Sequence, residues 1–263
     1  MKRRLLAAVV LVWVLLAGCD SDAARMFGFA APLPPKPAVS VDIVCDSRGG
    51  STCTGATLGQ TCDEVLPKIA DRPASTVTLW GVGETVADTT ILASITVPDA
   101  PQARRAARET ESRFLSTARA TLMAALSGRA DSGDSHRTPL AEAITRVAWS
   151  HPTTVRRFVI VISDAREESS FAQMECGELP SAKTFLADLA SHHVLAPGTL
   201  ARTDIQFAFV TVSRIDHDRC GVSLERADAI RSLWLAALKQ AGATRVSYYT
   251  GPPQLSLAQE DIK

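Results

Sequence analysis

Short apolar runs alternate with amphipathic stretches along most of this chain, and that alternation limits its folds more than any other feature. Val39 to Cys45, Thr76 to Val82, Thr90 to Val97, Arg157 to Ser163, Asp204 to Val212 and Val246 to Thr250 read as strands. The segment FVIVIS (158–163) is apolar at every position but the last, the pattern of a strand covered on both faces. Between the strands, Phe114, Ala118, Leu122 and Ala125 recur at helical steps within 101–127, and Leu140, Ala143, Ile144 and Val147 do so within 139–149. Further helices are expected over 182–195, capped by Ser181, and over 224–240, capped by Ser223 and stopped by Gly242. The order is β-α-β-β-α-α-β-α-β-α-β, which argues for a mainly parallel sheet with helices on both sides. The second and third strands lie too close in sequence for a parallel crossover, which takes at least about a dozen residues, so they are expected to pair antiparallel.

The first helix is harder to place. Residues 46–60 are rich in Gly, Ser and Thr and read as a loop; Thr61-x-x-Glu64 fits a capping box, followed by Val65, Leu66 and Ile69. Thr138 occupies a helix-start position before Leu140. The expected domain therefore spans 39–251, with a polar, Pro-led tail over 252–263. Hydrophobic residues make up 46% of the chain and charged residues 21%, enough apolar material for a core. Lys+Arg and Asp+Glu both number 28, which excludes a nucleic-acid binder driven by bulk charge.

The first residues read as an address. Lys2-Arg3-Arg4 precedes an apolar run from Leu5 to Ala17, shorter than the roughly 20 residues of a membrane span, and this is the layout of a signal peptide over 1–18. Its end, Leu16-Ala17-Gly18-Cys19, resembles the bacterial lipobox. That resemblance implies cleavage before Cys19 and lipidation of its thiol, palmitate among the added chains. It also implies a lipid-anchored protein of the bacterial cell membrane, facing the periplasm or the exterior. More than one acyl chain is needed for stable anchoring, and a lipoprotein cysteine carries them. Residues 19–38, with Pro32, Pro34, Pro35 and Pro37, read as a semi-rigid tether.

In a mainly parallel sheet, ligands bind at the carboxyl ends of strands where strand order reverses. The stretches expected there are VDIVCDSRGGS (41–51), TPLAEAITRVA (138–148) and RRFVIVISDARE (157–167). In this order and spacing they resemble the von Willebrand factor A-type (VWA) domain, and the likeness covers about residues 39–251. It implies a three-layer, Rossmann-like α/β fold with one antiparallel edge strand, and a protein-binding role in the cell envelope. It also implies a metal-ion-dependent adhesion site. Mg²⁺ takes near-octahedral oxygen ligands, and a partner's carboxylate completes the shell. Asp46, Thr138 and Asp164 match that pattern. The two serines do not, because Arg48 and Gly50 stand in their places. Either Ser47 and Ser51 supply the oxygens from a longer loop, or Arg48 occupies the metal's electrostatic place. Arg48 and Glu167 are the residues expected to meet the partner, an envelope protein. The site is degenerate, and a metal-free scaffold or a hydrolase using Asp46 and Asp164 are the competing readings.

No phosphate loop, dinucleotide fingerprint or nucleophile elbow is present in the sequence. The cysteines suit an oxidising compartment. Cys176 and Cys220 both follow strands at one sheet edge and are expected to pair; Cys53 and Cys62 are expected to pair across the loop before the first helix. The second pairing needs that loop, since one continuous helix would set the two about 13.5 Å apart. Cys45 is expected to be a free core thiol.

Overall fold

A computed structural model of the chain describes residues 36–46, 52–85, 87–99, 104–128, 137–150, 155–174, 177–210 and 223–257. The chain divides at Pro35, and the unit described is the one that begins at Lys36. Cys19 and the tether up to Pro35 lie outside the described residues. Among the described residues no helix is long and apolar enough to cross a membrane.

Six strands form one sheet: β1 (Val39–Cys45), β2 (Thr76–Gly81), β3 (Thr90–Thr96), β4 (Arg156–Ile162), β5 (Thr203–Ala208) and β6 (Arg245–Tyr248). Their spatial order is β3-β2-β1-β4-β5-β6. All neighbours run parallel except β2 and β3, which pair antiparallel as expected. Among the described residues five helices complete the layers: α1 (Gly55–Ile69), α2 (Arg104–Ser127), α3 (Leu140–Trp149), α4 (Ala182–Ser191) and α5 (Leu224–Gln240). The fold is thus a three-layer α/β sandwich with one antiparallel edge strand.

Alternation along the strands decides which layer each side chain enters. Val41, Ile43 and Cys45 of β1, with Leu79, Ile160 and Ile162, pack against Leu58, Val65 and Ile69 of α1 and Phe114, Ala118 and Leu122 of α2. Val44, Trp80, Val159, Val161, Ile205 and Phe207 face the other way, against α3, α4 and α5. Polar residues inside this second layer are paired. Trp80 Nε1 donates to Asp42 Oδ1 at 2.8 Å, and the fully buried Arg157 donates to the carbonyls of Ala148 and Thr199. A cation at the last turn of α3 also suits the negative end of the helix dipole.

The first helix begins earlier than its composition suggests. Thr54, not Thr61, is the cap: its hydroxyl accepts from Thr57 N–H, and the Thr57 hydroxyl accepts from Thr54 N–H at 2.8 Å. Leu58, Cys62, Val65, Leu66 and Ile69 then form a buried stripe at helical spacing. Gly59 leaves room for the neighbouring helix: a Cβ there would lie 3.1 Å from the Arg119 guanidinium of α2. Helix α4 stops at Ser191, short of the expected 195, because His193 and Leu195 take left-handed backbone conformations. Strand β5 ends at Ala208 for the same reason, Phe209 having φ 59°.

Residues 252–257 do not trail away as a separate tail. Gln206 and Gln254 exchange two hydrogen bonds, and Leu255 is buried in the α1/α2 layer. This strap runs across the buried polar face of β5 and covers the part of the sheet that those two helices leave open.

Candidate functional site

Strand order reverses between β1 and β4: the chain leaves β1 toward β2 and β3, then returns to β4 and proceeds to β5 and β6. Their carboxyl ends therefore flank the crevice where such sheets bind ligands. Asp46 follows β1 directly, is buried, and its N–H donates to the Ile162 carbonyl at the end of β4. Thr138 is half-buried just before α3, and its carbonyl accepts from Glu168 N–H of the loop after β4 at 3.1 Å. Asp164 opens that loop. Backbone contacts thus bring the segments of Asp46, Thr138 and Asp164 to the same edge. Ser47, Arg48 and Ser51, the other residues expected there, lie outside the described residues.

The β4–α4 loop is built by three local devices. Ala165 holds a left-handed conformation, φ 66°, with its N–H near the Ser163 hydroxyl. Its carbonyl accepts from Trp234 Nε1 at 2.7 Å, so a fully buried indole of α5 fixes the turn. Truncating an indole in such a place costs about 3–5 kcal/mol. Asp164 then takes Arg166 at both oxygens: Arg166 N–H donates to Oδ1 at 3.0 Å, and its Nε sits 3.2 Å from Oδ2. Arg166 is almost wholly buried, while Asp164 is about a third exposed.

Glu167 departs most from expectation. It does not face a partner; it is fully buried beneath the start of α3. The reason lies in that helix. Pro139, not Thr138, occupies the cap position and supplies no side-chain cap, so the N–H of Ala141 needs an acceptor. Glu167 Oε2 provides it at 2.9 Å, acting as a cap from outside the helix. Burial pushes this carboxyl up to about 8; the Ala141 N–H and the Ser169 hydroxyl pull the other way but less strongly. Oε1 has no hydrogen bond of good geometry, although Ser169 is close enough to favour the charged form.

A cavity of about 190 Å³ opens beside Asp164 and Arg166, walled by Val210, Leu224 and Ile230, with Arg231 and Tyr248 at its far side. An apolar space of about 150 Å³ already holds a benzene ring, so this one takes a large apolar side chain. Leu224 on its wall is 73% exposed. Tyr248 stacks on Phe207 at 4.9 Å and donates to the Arg231 carbonyl; burial pushes its phenol up.

Among the described residues, no three His, Cys, Asp or Glu side chains gather as a metal site. The described part of the adhesion pattern does not suit a dication either. The Arg166 guanidinium beside Asp164 Oδ2, with the Arg166 N–H on Oδ1, offsets the charge of that carboxylate and repels a second positive charge.

The disulfide arrangement also differs from expectation. Cys45 at the end of β1 bonds to Cys53, ahead of α1, and Cys62 is free and buried. Cys62 lies inside α1, where helix geometry sets it too far from Cys53. Burial pushes its thiol up to about 11, which leaves it unreactive at neutral pH. The Cys45–Cys53 bond brackets the Asp46 loop. Cys176 and Cys220 lie outside the described residues.

No protein-family model matches the chain, and no curated protein matches it. Among solved structures it is similar to the D319A mutant of the PilB minor pilin from Streptococcus sanguinis, with 8% identity over 84% of this chain and 59% of that one, and a TM-score of 0.47. It is also similar to a von Willebrand factor type A structure from Catenulispora acidiphila, with 11% identity over 78% of this chain and 43% of that one, and a TM-score of 0.34. The chain thus spans less than two thirds of either. The strand order and the antiparallel edge strand described above agree with the three-layer α/β architecture expected from the sequence.

Proposed function

We propose that this chain is an envelope lipoprotein, anchored in a bacterial cell membrane through Cys19, whose VWA-like domain binds a protein partner at the carboxyl edge of β1 and β4. In this reading Arg166 supplies the positive charge that Mg²⁺ would bring to an adhesion site of this pattern, and binding is metal-independent. The observation that carries the proposal is the Asp164–Arg166 pair at the carboxyl end of β4, with an apolar cavity on its β5 and β6 side. Asp164 is committed to an ion pair, which suits recognition better than proton transfer. The cavity offers an anchor for one apolar partner side chain, and Leu224 on its wall extends the contact to solvent.

Thermal melting and pull-down together test this. Mg²⁺ or Mn²⁺ should leave the melting temperature unchanged, and partners captured from native membranes should survive EDTA. Leu224→Glu, which puts a charge on the cavity wall, should lose those partners without unfolding the domain. A melting temperature that rises with Mg²⁺, and no longer does so in Asp164→Ala, would establish the metal-dependent form instead.

A further inference from the structure

Parallel strands gather like ends. Strands β1, β5 and β6 all begin at the edge opposite Asp46 and Asp164, α1 ends there, and α2 begins there because β3 runs back toward it. Exposed bases collect at this edge: Lys36 ahead of β1, Lys68 in the last turn of α1, Arg105 and Arg108 in the opening turns of α2, Arg202 before β5, and Arg245 at the start of β6. Lys36 pairs with Asp71, Lys68 with Glu64 and Arg105 with Glu109, but these pairs are solvent-exposed and give way at little cost.

The arginines of α2 are in the wrong place for their own helix. The sequence opens Arg104-Arg105-Ala106-Ala107-Arg108, and the first turn contains no acid. Positive charge at a helix N-terminus opposes the dipole, so these residues weaken the element that carries them. The opposite edge is richer in acids, with Glu84, Asp88, Glu142 and Glu168 joining Asp46 and Asp164 beside the bases Arg137 and Arg166. The chain enters the domain at the basic edge: Lys36 is its first described residue, and Arg72 donates to the Pro37 carbonyl at 3.2 Å there.

We infer that the basic edge docks on the anionic phospholipid headgroups of the bilayer that holds the anchor, leaving the edge with Asp46 and Asp164 turned away toward partners. The inference rests on the lipid-anchored reading of Cys19. It adds a second membrane contact, electrostatic and short-ranged, to the acyl chains. Each basic residue near an anionic surface strengthens binding about fivefold.

Residues 36–263 form a compact unit with both apolar layers, so the domain can be tested without the anchor. It should sediment with vesicles of phosphatidylcholine mixed with phosphatidylglycerol, should ignore vesicles of phosphatidylcholine alone, and should be released at about 1 M salt, where the Debye length falls to about 3 Å. The combined variant Arg105→Gln, Arg108→Gln, Arg245→Gln should lower the vesicle partition coefficient about a hundredfold. Its melting temperature should not fall, since two of the changes relieve the dipole of α2. Equal binding to both vesicle types, no binding at low salt, or full binding by the variant would overturn the inference. So would retention on duplex DNA in preference to the anionic vesicles. The anchor is tested separately on the full chain: fatty-acid labelling that persists in Cys19→Ser defeats the lipoprotein reading, whatever the isolated domain does on vesicles.

Discussion

Replacing Glu167 by Gln tests the account of the β4–α4 loop most directly. The native carboxyl is raised from 4.5 to about 8 by burial. The folded protein therefore retains a proton that the unfolded chain has lost across that interval. For a group shifted upward, the stabilisation is complete below the unfolded pKa and disappears as pH rises through the folded one. The slope approaches 1.4 kcal/mol per pH unit, so the whole interval is worth on the order of 4–5 kcal/mol. Gln has nearly the same shape and still offers an oxygen to the Ala141 N–H, but it does not titrate. Urea unfolding followed by circular dichroism, in steps from about pH 5 to about pH 8, measures the difference between the two proteins, in which the other groups cancel. The Glu167→Gln protein should gain on the native one by roughly 1 kcal/mol per pH unit. Parallel stability curves would show that Glu167 is hydrated and ionised in the fold, which refutes its burial as a proton-bearing carboxyl beneath α3.

Three further outcomes follow from the disulfide and from the β4–α4 loop. Peptide mapping of the unreduced protein should recover a Cys45–Cys53 linkage, and alkylation should reach Cys62 only after unfolding; a Cys53–Cys62 peptide would refute this. By loop entropy, opening a bond with a sequence separation of 8 should cost about 2.5 kcal/mol on reduction. Ala165→Gly should stabilise the domain by about 1 kcal/mol, because φ 66° burdens a residue with a Cβ but not glycine. A lower denaturation midpoint for that variant would mean that the Ala165 methyl, which is buried, contributes more packing than its backbone costs.

The sheet was legible because its signal is local. A run such as FVIVIS has one stable use, a strand buried on both sides, and the short gap before β3 leaves only an antiparallel partner. Helix α1 was misplaced because GATLGQT has weak helix propensity, and the stripe of Leu58, Cys62, Val65 and Ile69 is decided by the sheet it covers. That error carried the cysteine pairing with it, since a loop over 46–60 is what allowed Cys53 to reach Cys62. At the site, Asp46, Thr138 and Asp164 were readable as polar residues closing apolar strands or opening a helix. What Arg166 and Glu167 do was not readable from spacing. Arg166 folds back two residues onto Asp164, and Glu167 turns inward to serve an N–H on a helix more than twenty residues earlier. A missing side-chain cap at Pro139 is the one trace of that need in the sequence.

Strand β1 has a mechanical consequence. It is flanked along its length by β2 on one side and β4 on the other, both parallel to it, from Val39 at one edge to Cys45 at the other. The chain enters at its first residue, and Asp46 stands at its last. Tension between a tether at Lys36 and a partner held near Asp46 would run along this single strand. It would load both ladders in shear, all bonds together, rather than peel them one at a time. The Cys45–Cys53 bond ties the far end of the strand to the segment just ahead of α1 and carries part of that load into the helical layer. A domain strung this way yields last along the line between its two attachments, and first at its outermost strands, β3 and β6, which each have one neighbour in the sheet.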